Sequence, residues 1–292
     1  RGGPNSRSHA SLNRTDICQP GILTTSIAII TVLQRRFGLV PRRFTAAAGL
    51  SLGEYTALVF AGVLSFEDGV RLVGRRGRYM QQDSERHPSG MMSLIGADAD
   101  TARRVADECS SKGVVVAANF LSRDQTVISG ALEALDEAES RLKEFGVRRG
   151  IRTRVAGAFH SPLMEEGGKK LRADLQEVGF ARPTVPFLSN VTGDYVSEPE
   201  EIRECLARQV TSPVRWHQTM KNRVLLENYY LPGDLERQIG TFVEYYNNQR
   251  YHESLNNVTP ADVYFGRDKA ILREREKIKK QTIQKRRLQH QK

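Results

Sequence analysis

The stretch Ala47-Ala48-Gly49-Leu50-Ser51-Leu52-Gly53-Glu54-Tyr55 decides how this chain is read. A short apolar segment, Phe44 to Ala48, leads into it, and a helix-prone segment, Glu54 to Val63, leads away. Ser51 is therefore expected at a strand-to-helix corner. Glycines on both sides of such a serine let the backbone turn sharply and lift the hydroxyl clear of the sheet edge. A helix that starts just after the serine directs free backbone N–H groups to the same spot. The N–H of Leu52 is the expected donor to a developing oxyanion. The chemistry such a corner implies is acyl transfer through a serine ester.

Upstream of the corner, Thr15 to Phe37 is expected to form a buried helix, with Pro20 in its first turn and Gly38 at its stop. Its apolar run, Gly21 to Leu33, ends at Arg35-Arg36 and is shorter than the ~20 residues a spanning helix needs, so no membrane association is expected. Residues 1–10 are polar and glycine-rich and are expected to be disordered. The 292 residues suffice for one large or two ordinary domains. Cys18, Cys109 and Cys205 are odd in number and far apart, which argues against a disulfide framework or a zinc site and fits a reducing cytoplasm. About +6 of the net charge of +10 lies after Trp216, concentrated between Arg273 and Lys292. The body of the chain is only mildly basic, and the tail is of another character.

Downstream of the corner, Ser65 is placed to cap a helix running to about Met80, which carries Arg71, Arg75, Arg76 and Arg78. These make either a solvated basic face or a grip on an anionic substrate. Residues 90–155 then alternate: strand Met91–Ile95, helix Asp100–Ser111, strands Val114–Asn119 and Thr126–Ser129, helix Leu132–Phe145 and strand Ile151–Val155. That order, β-α-β-β-α-β, is that of a ferredoxin-like module, expected to close as a small lobe over a cleft. His160 follows Ser51 by 109 residues, in the place of a base brought in from a distant loop. A short strand at Thr184–Phe187 and a helix at Glu200–Gln209 precede Thr211-Ser212-Pro213-Val214-Arg215-Trp216.

Taken together, these landmarks resemble the malonyl-CoA:acyl carrier protein transacylases of fatty acid synthesis over about residues 11–216. The stretches that carry the resemblance are Gln19-Pro20-Gly21-Ile22-Leu23-Thr24-Thr25-Ser26, the serine corner, Arg76-Gly77, Val127-Ile128-Ser129-Gly130, Phe159-His160-Ser161-Pro162-Leu163-Met164, Ser189-Asn190-Val191-Thr192-Gly193 and Pro213-Val214-Arg215-Trp216. The resemblance implies an α/β fold. An α/β-hydrolase-like large lobe (11–89 and 156–216) would hold an inserted ferredoxin-like small lobe (90–155). It further implies Ser51 as nucleophile, His160 as general base and then acid, and Arg76 as partner of the free malonyl carboxylate, whose two oxygens a planar guanidinium matches. Leu52 would supply the oxyanion N–H and Gln125 a substrate contact. The implied reaction is ping-pong, with malonyl-CoA as the coenzyme A thioester substrate, acyl carrier protein as partner, and no bound cofactor or metal.

Departures from the family are also visible. Leu50 stands where the family has histidine before the serine, and Leu121-Ser122-Arg123-Asp124-Gln125 replaces an Asn-Ser-Pro-containing loop. The family's Phe-Pro-Gly-Gln-Gly-Ser-Gln segment, source of a second oxyanion N–H, has no counterpart. Nor has the later Gly-Pro-Gly-containing segment from which the family orients its histidine, so His160 is expected to lack that support.

Residues 217–292 form a mainly helical basic tail. They resemble the C-terminal part of a DDE-type insertion-sequence transposase, through Tyr245-Tyr246-Asn247-Asn248-Gln249-Arg250-Tyr251-His252-Glu253-Ser254-Leu255 and Thr259-Pro260-Ala261-Asp262-Val263-Tyr264. Arg215 and Trp216 satisfy both families. The last catalytic carboxylate of such transposases falls at Val214 and the two earlier aspartates have no counterpart, so two-metal strand transfer cannot be assembled. Asp234 to Tyr246 is expected as an amphipathic helix, Thr259-Pro260 as the capped start of another, and Lys269 to Gln291 as a polar basic helix. With Tyr245, Tyr246 and Tyr251 this tail would give weak, non-specific DNA binding or simply a solvated helix. Malonyl transfer is the expected function. The alternatives are a transposase-derived DNA-binding remnant and an inert chimeric fusion.

Overall fold

The computed structural model describes residues 14–153, 155–220, 244, 248–249 and 256–290. The chain divides into two compact units, Arg1–Leu226 and Glu227–Lys292. In the first unit α1 spans Thr15–Phe37 and is closed by Gly38, whose φ of 62° lets its N–H reach Gln34 O. Two expectations fail here. Pro20 lies inside the helix rather than in its first turn, with its ring 3.6 Å from where a side chain on Gly74 would start. The helix is also largely exposed: only Thr15, Gln19 and Leu23 are buried, while Ile22, Ile29, Val32, Leu33 and Phe37 face outward. The physical reason is that its apolar residues run all round the axis, whereas the line 15–19–23, continued by the partly buried Ile27, is the side that packs on the core. An 18-residue window has a mean hydropathy of 1.5, so by length and composition this helix could cross a membrane, and the shorter apolar run did not exclude that.

The partner of α1 is α3, Phe66–Arg86, whose Ser65 Oγ accepts the N–H of Asp68 at 3.0 Å. Between the corner serine and α3 lies α2, Leu52–Phe60. One face of α3 is buried: Gly69, Leu72, Val73, Arg76, Gly77, Met80, Asp83 and Ser84, at helical spacing. Gly77 permits the closest approach, since a Cβ there would stand 2.5 Å from Thr15 O.

The inserted sheet has strands β1 Ser89–Ile95, β2 Val115–Ser122, β3 Gln125–Ala131 and β4 Arg149–Arg152. They are antiparallel in the order β2-β3-β1-β4. Helices α4 (Ala99–Cys109) and α5 (Leu132–Ser140) complete the β-α-β-β-α-β sequence. β4 begins and ends earlier than the strand expected at Ile151–Val155. Met92, Leu94 and Ile128 pack with both helices into one core, and Met91, Ala118 and Val127 pack with Phe159, beside His160.

The remainder comprises α6 (Glu165–Gln176), β5 (Phe187–Leu188), β6 (Tyr195–Val196) and α7 (Pro199–Gln209). The strand expected before the serine is reduced to one parallel bridge, Ala47 to Phe187, with Ala47 N–H to Pro186 O at 2.7 Å and Leu188 N–H to Ala47 O at 3.1 Å. The strand expected at Thr184–Phe187 is likewise only Phe187–Leu188. A strand is held by its neighbours, and these two segments lend each other only one bridge.

In the second unit, α8 (Pro260–Tyr264) opens with a reciprocal capping box between Thr259 and Asp262. It is followed by α9 (Asp268–His290), whose basic residues from Lys269 to Lys280 are exposed. The amphipathic helix expected at Asp234–Tyr246, and Tyr245, Tyr246 and Tyr251, lie outside the described residues apart from Glu244.

Candidate active site

Ser51 carries the strain of the corner itself, at φ 50° and ψ −104°, just before α2 begins. The two glycines of the corner differ in their role. A Cβ on Gly49 would lie 2.0 Å from Gly53 O, so only glycine fits there, whereas Gly53 has open space where a Cβ would go. Asn190 pins the turn from below: its Oδ1 accepts the Ser51 N–H at 2.6 Å and its Nδ2 donates to Gly49 O at 2.8 Å. Leu52 is the first residue of α2, so no carbonyl of the same helix is available to its N–H.

His160 comes from the loop after β4 with a φ of 61° and 3% exposure. Its Nε2 stands 2.8 Å from Ser51 Oγ and its Nδ1 stands 2.8 Å from the main-chain oxygen of Gln209. A carbonyl can only accept, so Nδ1 carries the proton and Nε2 is left to take the one on Ser51. The expected lack of an orienting partner for His160 is thereby overturned. Gln209 is the last residue of α7, where a carbonyl has no intrahelical donor and is free to bind the imidazole. Burial pushes His160 down to about 4, helped by the positive charge of Arg76 and opposed by its hydrogen bonds to the backbone.

Arg76 is 2% exposed and reaches the serine from α3. Its Nη2 donates to Ser51 Oγ and to Gln209 Oε1, both at 2.9 Å, and its Nη1 donates to Gln19 Oε1 at 2.7 Å. Burial lowers its pKa, against the opposing influence of Tyr55 and Glu54. The other three arginines singled out on this helix have ordinary surface roles: Arg71 pairs with Asp68, Arg75 with Asp174, and Arg78 is exposed. Gln125 donates to Ser93 Oγ at 3.0 Å within the inserted sheet, and Leu50, half-buried, accepts the Gly53 N–H through its main-chain oxygen.

The structure thus joins Ser51, His160 and Arg76 and adds four residues to which the sequence had assigned no role: Gln19, Glu54, Asn190 and Gln209. Apart from Glu54, beside the serine, they act through amides or main-chain atoms, which leave little trace in spacing.

The acyl transferase domain family matches residues 5–232. This chain belongs to that family. The acyltransferase is 38% identical over 210 residues to the malonyl CoA-acyl carrier protein transacylase of Salmonella typhimurium, a match covering 72% of this chain and 67% of the relative. It is 38% identical over 217 residues to the Bacillus subtilis protein of the same name, covering 74% of this chain and 67% of the relative. The solved malonyl CoA-acyl carrier protein transacylase from Coxiella burnetii superposes with a TM-score of 0.70 at 36% identity, covering 76% of this chain and 68% of that one. A malonyl-transacylase solved in complex with a type II polyketide acyl-carrier protein gives 0.70 at 36% identity, covering 73% and 68%. The integrase core domain family matches residues 214–260, so the two matches share the segment that includes Arg215 and Trp216.

Proposed function

We propose that the chain transfers a malonyl group from coenzyme A to the phosphopantetheine thiol of acyl carrier protein, in fatty acid synthesis, through an ester on Ser51. The observation that carries this is the shared serine oxygen, 2.8 Å from a neutral imidazole on one side and 2.9 Å from a buried guanidinium on the other. The imidazole takes the Ser51 proton at Nε2 as Oγ attacks the thioester carbonyl. The Leu52 N–H receives the carbonyl oxygen as it becomes an oxyanion. Collapse of the tetrahedral species breaks the C–S bond, and His160 returns the proton to the departing coenzyme A sulfur. In the second half the carrier thiol gives its proton to Nε2 and attacks the ester carbonyl, and Ser51 Oγ leaves with that proton. Arg76 meets the malonyl carboxylate, which displaces the serine hydroxyl from Nη2.

The architecture that goes with this chemistry is an α/β-hydrolase-like lobe at 11–89 and 156–216 with a ferredoxin-like lobe at 90–155. The order and pairing of β1 to β4 support the latter. Gln125, on that lobe, would add a contact to the substrate. Acyl carrier protein and a cytoplasmic setting are the partner and place that suit the reaction. The test is intact-mass analysis after brief mixing with malonyl-CoA, beside Ser51→Ala. A malonyl adduct on the parent alone supports the proposal, and no adduct on folded parent protein refutes it.

A second activity is suggested by the integrase core match and the exposed basic face of α9. Weak, salt-sensitive DNA binding lost on deletion of residues 217–292 would establish a nucleic-acid-binding remnant, whereas its absence would leave the tail inert.

A further inference from the structure

Glu54 lies three residues after the nucleophile and is fully buried. Its Oε1 accepts the N–H of Asn190 at 3.1 Å, and its Oε2 accepts from Gln209 Nε2. Gln209 is also fully buried and uses every polar atom it presents to the site. Its Nε2 also donates to Ser51 O at 2.9 Å, its Oε1 accepts from Arg76, and its main-chain oxygen holds His160. A carboxylate only accepts and a guanidinium only donates, so an amide placed between the two has one satisfied orientation. Turned over, it would set NH2 against guanidinium and oxygen against carboxylate, so that each buried charge would lose one hydrogen bond and face a like-signed dipole.

We infer that Glu54 is a positioning residue: its carboxylate fixes the orientation of the Gln209 amide, and that amide aims Arg76 at the acyl carboxylate. The inference rests on the malonyl-transfer reading for its consequence in specificity. It separates two tasks that meet in one glutamine. The main-chain oxygen of Gln209 serves the base whichever way the amide lies, whereas its side chain serves the arginine. Loss of Glu54 should therefore damage recognition of the acyl carboxylate more than the transfer chemistry. The titratable and charged groups facing Glu54 are Arg76 from α3, Tyr55 from α2 and Cys205 from α7. Burial lifts Glu54 to about 7, opposed by hydrogen bonds from Asn190, Gln209 and Ser189 and by the charge of Arg76, so the lock is complete only above neutral pH.

The test compares the parent, Glu54→Gln and Glu54→Asp at about pH 8, with malonyl-CoA and acetyl-CoA as probes. Glu54→Gln is expected to raise the KM for malonyl-CoA about tenfold or more, with kcat and acetyl transfer changed less than about threefold, and Glu54→Asp to restore most of the loss. An equal loss with both thioesters would mark a merely structural role and overturn the inference, as would unchanged malonyl kinetics. A second readout needs no turnover: the side-chain 15N signals of Arg76, assigned with Arg76→Lys, should shift in Glu54→Gln. They should also shift in the parent as the pH is lowered from about 8.5 to about 6, across the Glu54 value. Arg76 signals that ignore both changes overturn the inference even in a protein that turns over nothing. Failure of the parent to acylate would count against malonyl transfer alone.

Discussion

Helices α1 and α3 pack against each other, and their compositions suggest the reverse of their fates. α1 is the more apolar and is mostly exposed; α3 carries five arginines and buries a whole face. Burial follows the arrangement of side chains around the axis and the presence of a partner, not the share of apolar residues. α3 sets its small and apolar residues on one line and its charges on the other, so one side can be covered. α1 has no such division, and its covered side is the line of Thr15, Gln19 and Leu23, continued by the partly buried Ile27. Arg76 shows the same rule at one residue. It sits in the apolar line of α3 and is tolerated there because Gln19, Gln209 and Ser51 give acceptors to its Nη1 and Nη2.

The contrast can be broken or sharpened by measurement. The largest effect belongs to Arg76→Ala, expected to lower kcat/KM for malonyl-CoA by roughly two to three orders of magnitude, the scale of removing a buried, hydrogen-bonded charge. Acylation kinetics followed by mass would show it, and a loss under about tenfold would put Arg76 outside the site. Next comes Leu72→Ala on the buried line of α3, expected to cost about 2–5 kcal/mol in a urea titration. Gly77→Ala should cost about 1–3 kcal/mol, because its Cβ would meet Thr15 O and push α1 away. A neutral result there would mean that α1 is not held as described.

The pH profile should show a smaller change. His160 must be unprotonated to accept the serine proton, and its burial-lowered value of about 4 keeps it so well below the range of an ordinary imidazole. Acylation at saturating thioester should therefore differ by no more than about twofold between pH 8 and pH 5.5, where a histidine of pKa ~6.5 would lose about tenfold. The rate should fall only as pH drops through about 4. A limb near the ordinary value of ~6.5 would show that His160 is not buried as described. The smallest effect is expected of Ile29→Ala on α1, within about 0.5 kcal/mol of the parent in the same urea titration, because that side chain is 56% exposed. A cost comparable with Leu72→Ala would reveal a covered α1 and dissolve the contrast.

Much of the site was legible from residue order. Ser51 was marked by the corner, His160 by its Phe-His-Ser-Pro surroundings and Arg76 by its place 25 residues past the serine, all by resemblance as much as by chemistry. The glycine pair was half right, since Gly49 is required by a 2.0 Å approach and Gly53 is not. The orientation of His160 was not legible. A main-chain oxygen at a helix end is offered by every residue type, so nothing in the letter Gln at 209 announces it. Glu54 was equally silent, because a glutamate in the first turn of a helix is ordinary until its neighbours are known.

By itself the sequence determined the bounds of α1, the Ser65 and Thr259 caps and the alternation of the inserted sheet. Each depends on residues within about four positions of one another, where backbone geometry leaves few choices. Only the tertiary structure decided that α1 stays exposed, that one arginine of α3 is drawn inside while its helix neighbours remain at the surface, and that Gln209 stands between Glu54 and Arg76. These contacts join residues far apart in the chain, and they exist only where packing brings a donor to an acceptor and excludes the water that would otherwise serve both.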